Sequence, residues 1–164
     1  MVRRSVTVPL LCFAALLASL ALVACGDDDD AAAPGETVRE ILAATLPEVS
    51  PGHELSLARV VIPAGENLAV HVHPGPQLAW IAEGTLTYSV DEGSVYVYRN
   101  AGTPDEVEET IGPGQTTELR PGDSVIEPTG VVHSSRNAGD EPVVIFLATL
   151  FEEGAPLSSP PPGD

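Results

Sequence analysis

Nine short segments follow one another between Glu54 and Phe151, each rich in Val, Ile, Leu, Thr or Tyr and bounded by Gly, Pro, Asn or Asp. They are "ELSLARVVI", "NLAVHVH", "QLAWIAEG", "TLTYSV", "SVYVYR", "TTELR", "DSVIEP", "VVHSSRN" and "PVVIFLATLF". β-Branched and aromatic residues suit a pleated, half-buried surface, and the Gly and Pro punctuation ends each run after a few residues. Many short strands joined this way close into a sandwich or a barrel, so the chain is predicted to be all-β. Asp91-Glu92-Gly93 and the run from Asn137 to Asp140 read as hairpin-type connections. Asn100 to Gln115 is the longest irregular stretch, and its Asp105, Glu106, Glu108 and Glu109 are expected to form a solvated loop. Ahead of the strands, Val38, Ile41, Leu42 and Leu46 recur near helical spacing, which predicts a short N-terminal helix that stops before Pro47.

The two ends differ from this central part. Residues 1–24 begin with Arg3 and Arg4, continue as an apolar run and close on small residues, the pattern of a secretory signal. "LVAC", Leu22 to Cys25, resembles the bacterial lipoprotein signal. That resemblance implies cleavage before Cys25, lipidation of its sulfur, and an extracytoplasmic domain anchored to the bacterial cell membrane. Cys12 would leave with the signal, so the mature chain would hold one Cys and no intrachain disulfide. Residues 25–35 carry four consecutive aspartates and read as a solvated, flexible tether. Residues 153–164, with "SSPPPGD", read as a disordered or extended Pro-rich tail. One folded domain, residues 36–152, lies between them.

Acidic residues number 24 against 7 basic ones, and none of the basic ones is Lys. A chain without a basic patch cannot neutralise a phosphate backbone, which excludes nucleic acid as a partner.

His71 and His73 stand one residue apart. On a strand, residues i and i+2 share a face, so the two imidazoles point the same way. Imidazole binds Zn, Fe, Ni and Cu, and two such ligands need at least a third. The wider sequence carries a longer pattern around them. Gly65, five residues, His71, one, His73, three, Gln77, six, Gly84 is followed by Gly122, five residues, Pro128, one, Gly130, two, His133, three, Asn137. This pair of motifs resembles the cupin superfamily, and within it the single-domain, quercetinase-like small cupins. There the first motif is G-x5-H-x-H-x3or4-E-x6-G and the second is G-x5-P-x-G-x2-H-x3-N. The second matches at every fixed position, and the first departs only at Gln77, where the family has Glu.

The resemblance implies a jelly-roll-like β-barrel of two antiparallel sheets. It also implies a divalent metal ion (Fe, Mn, Ni or Zn) held by residues matching His71, His73, Gln77 and His133. Gln77 carries no charge, so a shell of three imidazoles and an amide leaves the ion its full positive charge. Whether Gln77 ligates the ion or only hydrogen-bonds beside a three-histidine site stays open, and no catalytic base is assigned. Trp80 and Tyr88 are candidates to line the pocket, with core packing as the plainer reading. Tyr96 and Tyr98 share one strand face. Glu127, next to Pro128 in the second motif, is expected at an exposed strand end, with a compensating acid as the alternative; His53 is expected on the surface in "SPGHE" and Asn137 in a turn. Few charged residues flank the His pair, which points to a small apolar or aromatic ligand or substrate. The function implied is that of a membrane-anchored, metal-dependent, dioxygenase-like enzyme. The rival is a non-catalytic metal- or ligand-binding cupin, and a metal-dependent isomerase is more remote. Homodimers are common in the family.

Overall fold

Alternation along the strands sorts the side chains into an inner and an outer set. In β4 (Gln77–Glu83), Gln77, Ala79 and Ile81 are buried while Leu78 and Trp80 are exposed. The same period of two runs through β2 (His53–Ile62), β5 (Leu86–Glu92) and β6 (Val95–Arg99). The computed structural model describes residues 35–163. The expected signal segment, Cys25 and all but the last residue of the tether lie outside the described residues. Among the described residues, no helix is long and apolar enough to cross a membrane.

Among the described residues, eleven strands form two antiparallel sheets. The remaining seven are β1 (Val38–Thr45), β3 (Asn67–His71), β7 (Val107–Ile111), β8 (Gln115–Leu119), β9 (Ser124–Glu127), β10 (Val132–Arg136) and β11 (Val143–Glu152). The larger sheet has the order β1-β2-β11-β4-β9-β6-β7 and the smaller one β3-β10-β5-β8. Ile62, Ile81, Val90, Val95, Val97, Leu119, Val125 and Val143 bury their side chains almost completely in the core. Each such aliphatic side chain contributes roughly 1.5–3 kcal/mol relative to exposure.

Four expectations change. First, residues 38–45 form β1, not a helix. The strand pairs with β2, and its register shifts between Ile41 and Ala43. Val38, Ile41, Leu42 and Leu46 are all exposed, so their spacing reflects no buried face, and the edge of β2 offers the segment hydrogen-bonding partners. Second, Asn100 to Gln115 is not wholly irregular. It contains β7, where Glu109 accepts hydrogen bonds from Arg99 at 3.0 and 3.2 Å. Third, the turns at Gly93 and after Asn137 do not close hairpins. β5 and β10 belong to the smaller sheet, and the strands that follow them belong to the larger one. Fourth, the C-terminal tail is paired. Val72 and Ser159 exchange backbone hydrogen bonds of 3.0 and 3.1 Å.

Gly84 makes one of the passages between sheets feasible. Its φ is +76°, and a Cβ there would lie 2.7 Å from the Pro142 carbonyl oxygen. Only glycine fits both the left-handed backbone and the close approach.

Candidate metal centre

His71 closes β3, and His133 is its direct cross-strand partner on β10. His73 lies two residues beyond His71, just past the Val72–Ser159 bridge. The candidate ligand nitrogens of the three histidines all lie within 4.8 Å of one another. Each ring is fixed at its other nitrogen. Nδ1 faces a carbonyl oxygen in every case: Ala69 at 2.7 Å for His71, Leu157 at 2.6 Å for His73 and Val131 at 3.1 Å for His133. A carbonyl can only accept, so each Nδ1 carries the proton and each Nε2 keeps its lone pair. Three oriented Nε2 lone pairs converging on one point are what a divalent ion of the zinc or iron type requires, and the donor set fits such an ion.

The larger sheet supplies the opposite wall. Gln77 on β4 and Glu127 on β9 are paired in register, and both side chains are buried. The Gln77 amide donates to Glu127 Oε2 at 3.0 Å, and its nitrogen lies 3.3 Å from His73 Nε2. Tyr88 donates its hydroxyl to Glu127 Oε1 at 3.0 Å and stacks on the His133 ring, centroids 5.2 Å apart. Glu127 Oε2 also faces His73 Nε2 at 3.5 Å and His133 Nε2 at 3.6 Å.

Glu127 therefore corrects the sequence reading. It is 3% exposed and sits inside the cluster rather than at an exposed strand end. Trp80 is corrected in the other direction: it is 45% exposed on the outer face and does not line the cavity, because the alternation that turns Gln77 inward turns Trp80 outward. Tyr88 does line it. Val95 and Val97 fill the core opposite Tyr96 and Tyr98, which face outward. His53 begins β2 and is not among the lining residues. Asn137 is a turn residue, but a buried one that donates to three carbonyls. The signal for Glu127 was in the sequence: it lies two residues from Val125 on the same inward strand face.

Burial, opposed by Glu127, lowers the pKa of His73. Burial and then the neighbouring His71 push His133 down to about 4. Both rings thus favour the neutral, metal-ready form. Burial pushes the Glu127 carboxyl up, against the pull of His73 and the hydrogen bond from Tyr88. Burial, and then Glu127, raises the Tyr88 phenol, so it stays protonated as a donor. The His133 shift has a measurable consequence in metal-free protein. Between about pH 6.5 and about 4 the unfolded chain holds a His133 proton that the folded chain does not, so this contribution to stability falls as pH falls. The urea midpoint of wild type minus that of His133→Gln is expected to shrink between about pH 7.5 and about pH 5. A difference that grows instead would show that His133 is not buried neutral.

A cavity of about 490 Å³ opens onto the cluster between the two sheets. Its walls are mostly aliphatic, and Phe151 stacks on His73 with centroids 5.8 Å apart. Arg39 is the one cationic side chain among the described lining residues, and Thr37 beside it has a buried hydroxyl with no hydrogen-bond partner. The tail segment from Leu157 to Pro160 completes the lining. Neither Arg39 nor the tail was expected at the site, because both come from distant parts of the chain.

Residues 106–149 match the cupin domain family. That match takes in Glu127, His133 and the whole second motif, and it stops short of His71 and His73. No curated protein matches the sequence significantly. Among solved structures, the chain is similar to a cupin superfamily protein from Desulfitobacterium hafniense, at 15% identity over 71% of this chain and 79% of that one, with a TM-score of 0.48. It is also similar to KdgF from Halomonas sp., at 19% identity over 71% and 80%, TM-score 0.48. Salicylate 1,2-dioxygenase from Pseudoaminobacter salicylatoxidans is similar at 19% identity over 71% of this chain and 25% of that one, TM-score 0.46.

Proposed function

We propose that this chain is a lipid-anchored, extracytoplasmic cupin that binds a divalent metal through His71, His73 and His133 and acts as a dioxygenase-like enzyme on a small molecule. The observation that carries the metal reading is the common orientation of the three rings, each with Nδ1 on a carbonyl and Nε2 turned inward. When bound, the ion would supply Lewis acidity and positions open to substrate and dioxygen. The protein's own groups do the rest. The aliphatic walls exclude water and hold an apolar or aromatic body. Arg39 and the Thr37 hydroxyl, which has no partner among the described residues, suit an anionic or polar end on that body. The anchor rests on the "LVAC" ending of the signal and its Cys25. An exposed apolar row across the outer face of the larger sheet, Leu57, Leu78 and Tyr96 in register with Ala148 and Ile126, favours self-association as a homodimer.

The test measures metal per chain in the purified protein, then oxygen uptake with aromatic and aliphatic carboxylic acids and their methyl esters. Near-stoichiometric metal and uptake with an acid are expected, with Arg39→Ala raising KM for the acid about tenfold and leaving the ester unchanged. Metal without turnover on any member of the panel would assign the chain to the non-catalytic binding cupins. A folded protein with no bound metal would overturn the metal reading altogether.

A further inference from the structure

We propose that Glu127 is the carboxylate ligand of this metal centre and that Gln77 is not a ligand but the amide that holds Glu127 in place. The proposal rests on the three-histidine metal reading and goes beyond it by moving the acid from β4 to β9.

Gln77 and Glu127 face each other across the β4–β9 pair, both turned into the site. Two ligand atoms on one ion, each about 2.0–2.2 Å from it, stand roughly 3–3.5 Å apart. Glu127 Oε2 lies 3.5 Å from His73 Nε2 and 3.6 Å from His133 Nε2, close to that separation. It therefore occupies the place of a further ligand beside two of the three imidazoles. Its partner oxygen, Oε1, accepts from the Tyr88 hydroxyl, and Oε2, which accepts from the Gln77 amide, has a second lone pair to offer the ion.

The Gln77 amide is turned the wrong way to ligate. A carboxylate only accepts hydrogen bonds, so the Gln77 atom 3.0 Å from Oε2 must be the NH2 group. An amide nitrogen has no lone pair to offer a metal. Reversing the amide would give up that hydrogen bond and set an acceptor where the carboxylate now has a donor. Glu127 also changes the charge of the shell. Three neutral imidazoles and one carboxylate carry one negative charge against the divalent ion, which strengthens its retention.

The experiment uses cobalt(II) as the probe, with the metal-free full-length protein. In a crystal structure of the cobalt-loaded wild type, Glu127 Oε2 is expected at about 2.0–2.2 Å from the ion, with the Gln77 amide outside bonding distance. In solution, Glu127→Gln keeps the shape of the side chain and is expected to weaken cobalt binding at least about 100-fold and to change its visible ligand-field spectrum. Gln77→Leu is expected to weaken binding about 10-fold with the spectrum nearly kept. The double exchange Gln77→Glu with Glu127→Gln, which moves the acid back across the strand pair, is expected to recover most of the lost affinity. A wild-type cobalt structure with Glu127 beyond bonding distance overturns the proposal and leaves the three-histidine reading standing. So does a folded Glu127→Gln protein with unchanged affinity and spectrum. A wild type that takes up no cobalt overturns both.

Discussion

Replacing His73 with alanine is expected to abolish stoichiometric metal binding and, in the same protein, to loosen the C-terminal tail. The two effects share one side chain. Nε2 of His73 is one of the three convergent nitrogens, and Nδ1 donates to the Leu157 carbonyl at 2.6 Å. The ring also stacks on Phe151. Alanine removes a ligand from a set of three, and the remaining two imidazoles are a poor site for a divalent ion. Metal affinity should fall by at least about 100-fold, read by competition with a chelator. The tail keeps its backbone pairing between Val72 and Ser159 but loses its only side-chain hydrogen bond to the site among the described residues. Amide hydrogen exchange at Leu157 to Ser159 should therefore rise. His53→Ala provides the comparison. His53 hydrogen-bonds the nearby Pro51 carbonyl at the start of β2, so metal affinity and exchange should both stay as in wild type. If His73→Ala keeps full metal occupancy, the ligand assignment is wrong.

The largest effect on stability is expected at Asn137. Its amide nitrogen lies 3.0 Å from the Ile62 carbonyl, 3.0 Å from that of Pro63 and 2.8 Å from that of Glu141. Its side-chain oxygen accepts from Gly139 N at 3.1 Å. Its own backbone exchanges hydrogen bonds with Gly65 and Glu66. One residue that is 1% exposed thus ties the end of β2, the turn before β3 and the connection from β10 to β11. Asn137→Ala leaves these carbonyls without their donor, at a cost of about 2–4 kcal/mol in urea unfolding. Asn137→Asp should cost more than alanine, because it sets a charge against the same three carbonyl oxygens. An aspartate variant as stable as wild type would mean that the amide donors carry no weight here.

How far the site could be read from the sequence depended on how local each relation was. His71 and His73 needed only the alternation of one strand, and His133 needed the spacing of the second motif. Trp80 was open to the same rule, since counting from Gln77 places it on the opposite face. The helix reading of residues 38–46 failed because the apolar residues of this edge strand face no inner wall, so their spacing reports no buried face. Glu127 was misplaced because burial at a strand end depends on what packs over it. The turns at Gly93 and after Asn137 do not close the hairpins expected of them, because a turn residue sets the direction of the chain and not the sheet that receives it.

The sequence by itself determined that the chain is a run of short strands and that His71 and His73 share a face, while His133 came in only through the resemblance of the second motif. Backbone alternation and turn chemistry act over a few residues and can be counted along the chain. Only the tertiary structure decided that Glu127 stands beside Gln77, that Tyr88 holds its second oxygen, and that Arg39 and the C-terminal tail line the same cavity. These contacts join residues 39 to 84 positions apart, such as Tyr88 with Glu127 and His73 with Leu157, and strand register and sheet packing, which no local pattern encodes, bring them together.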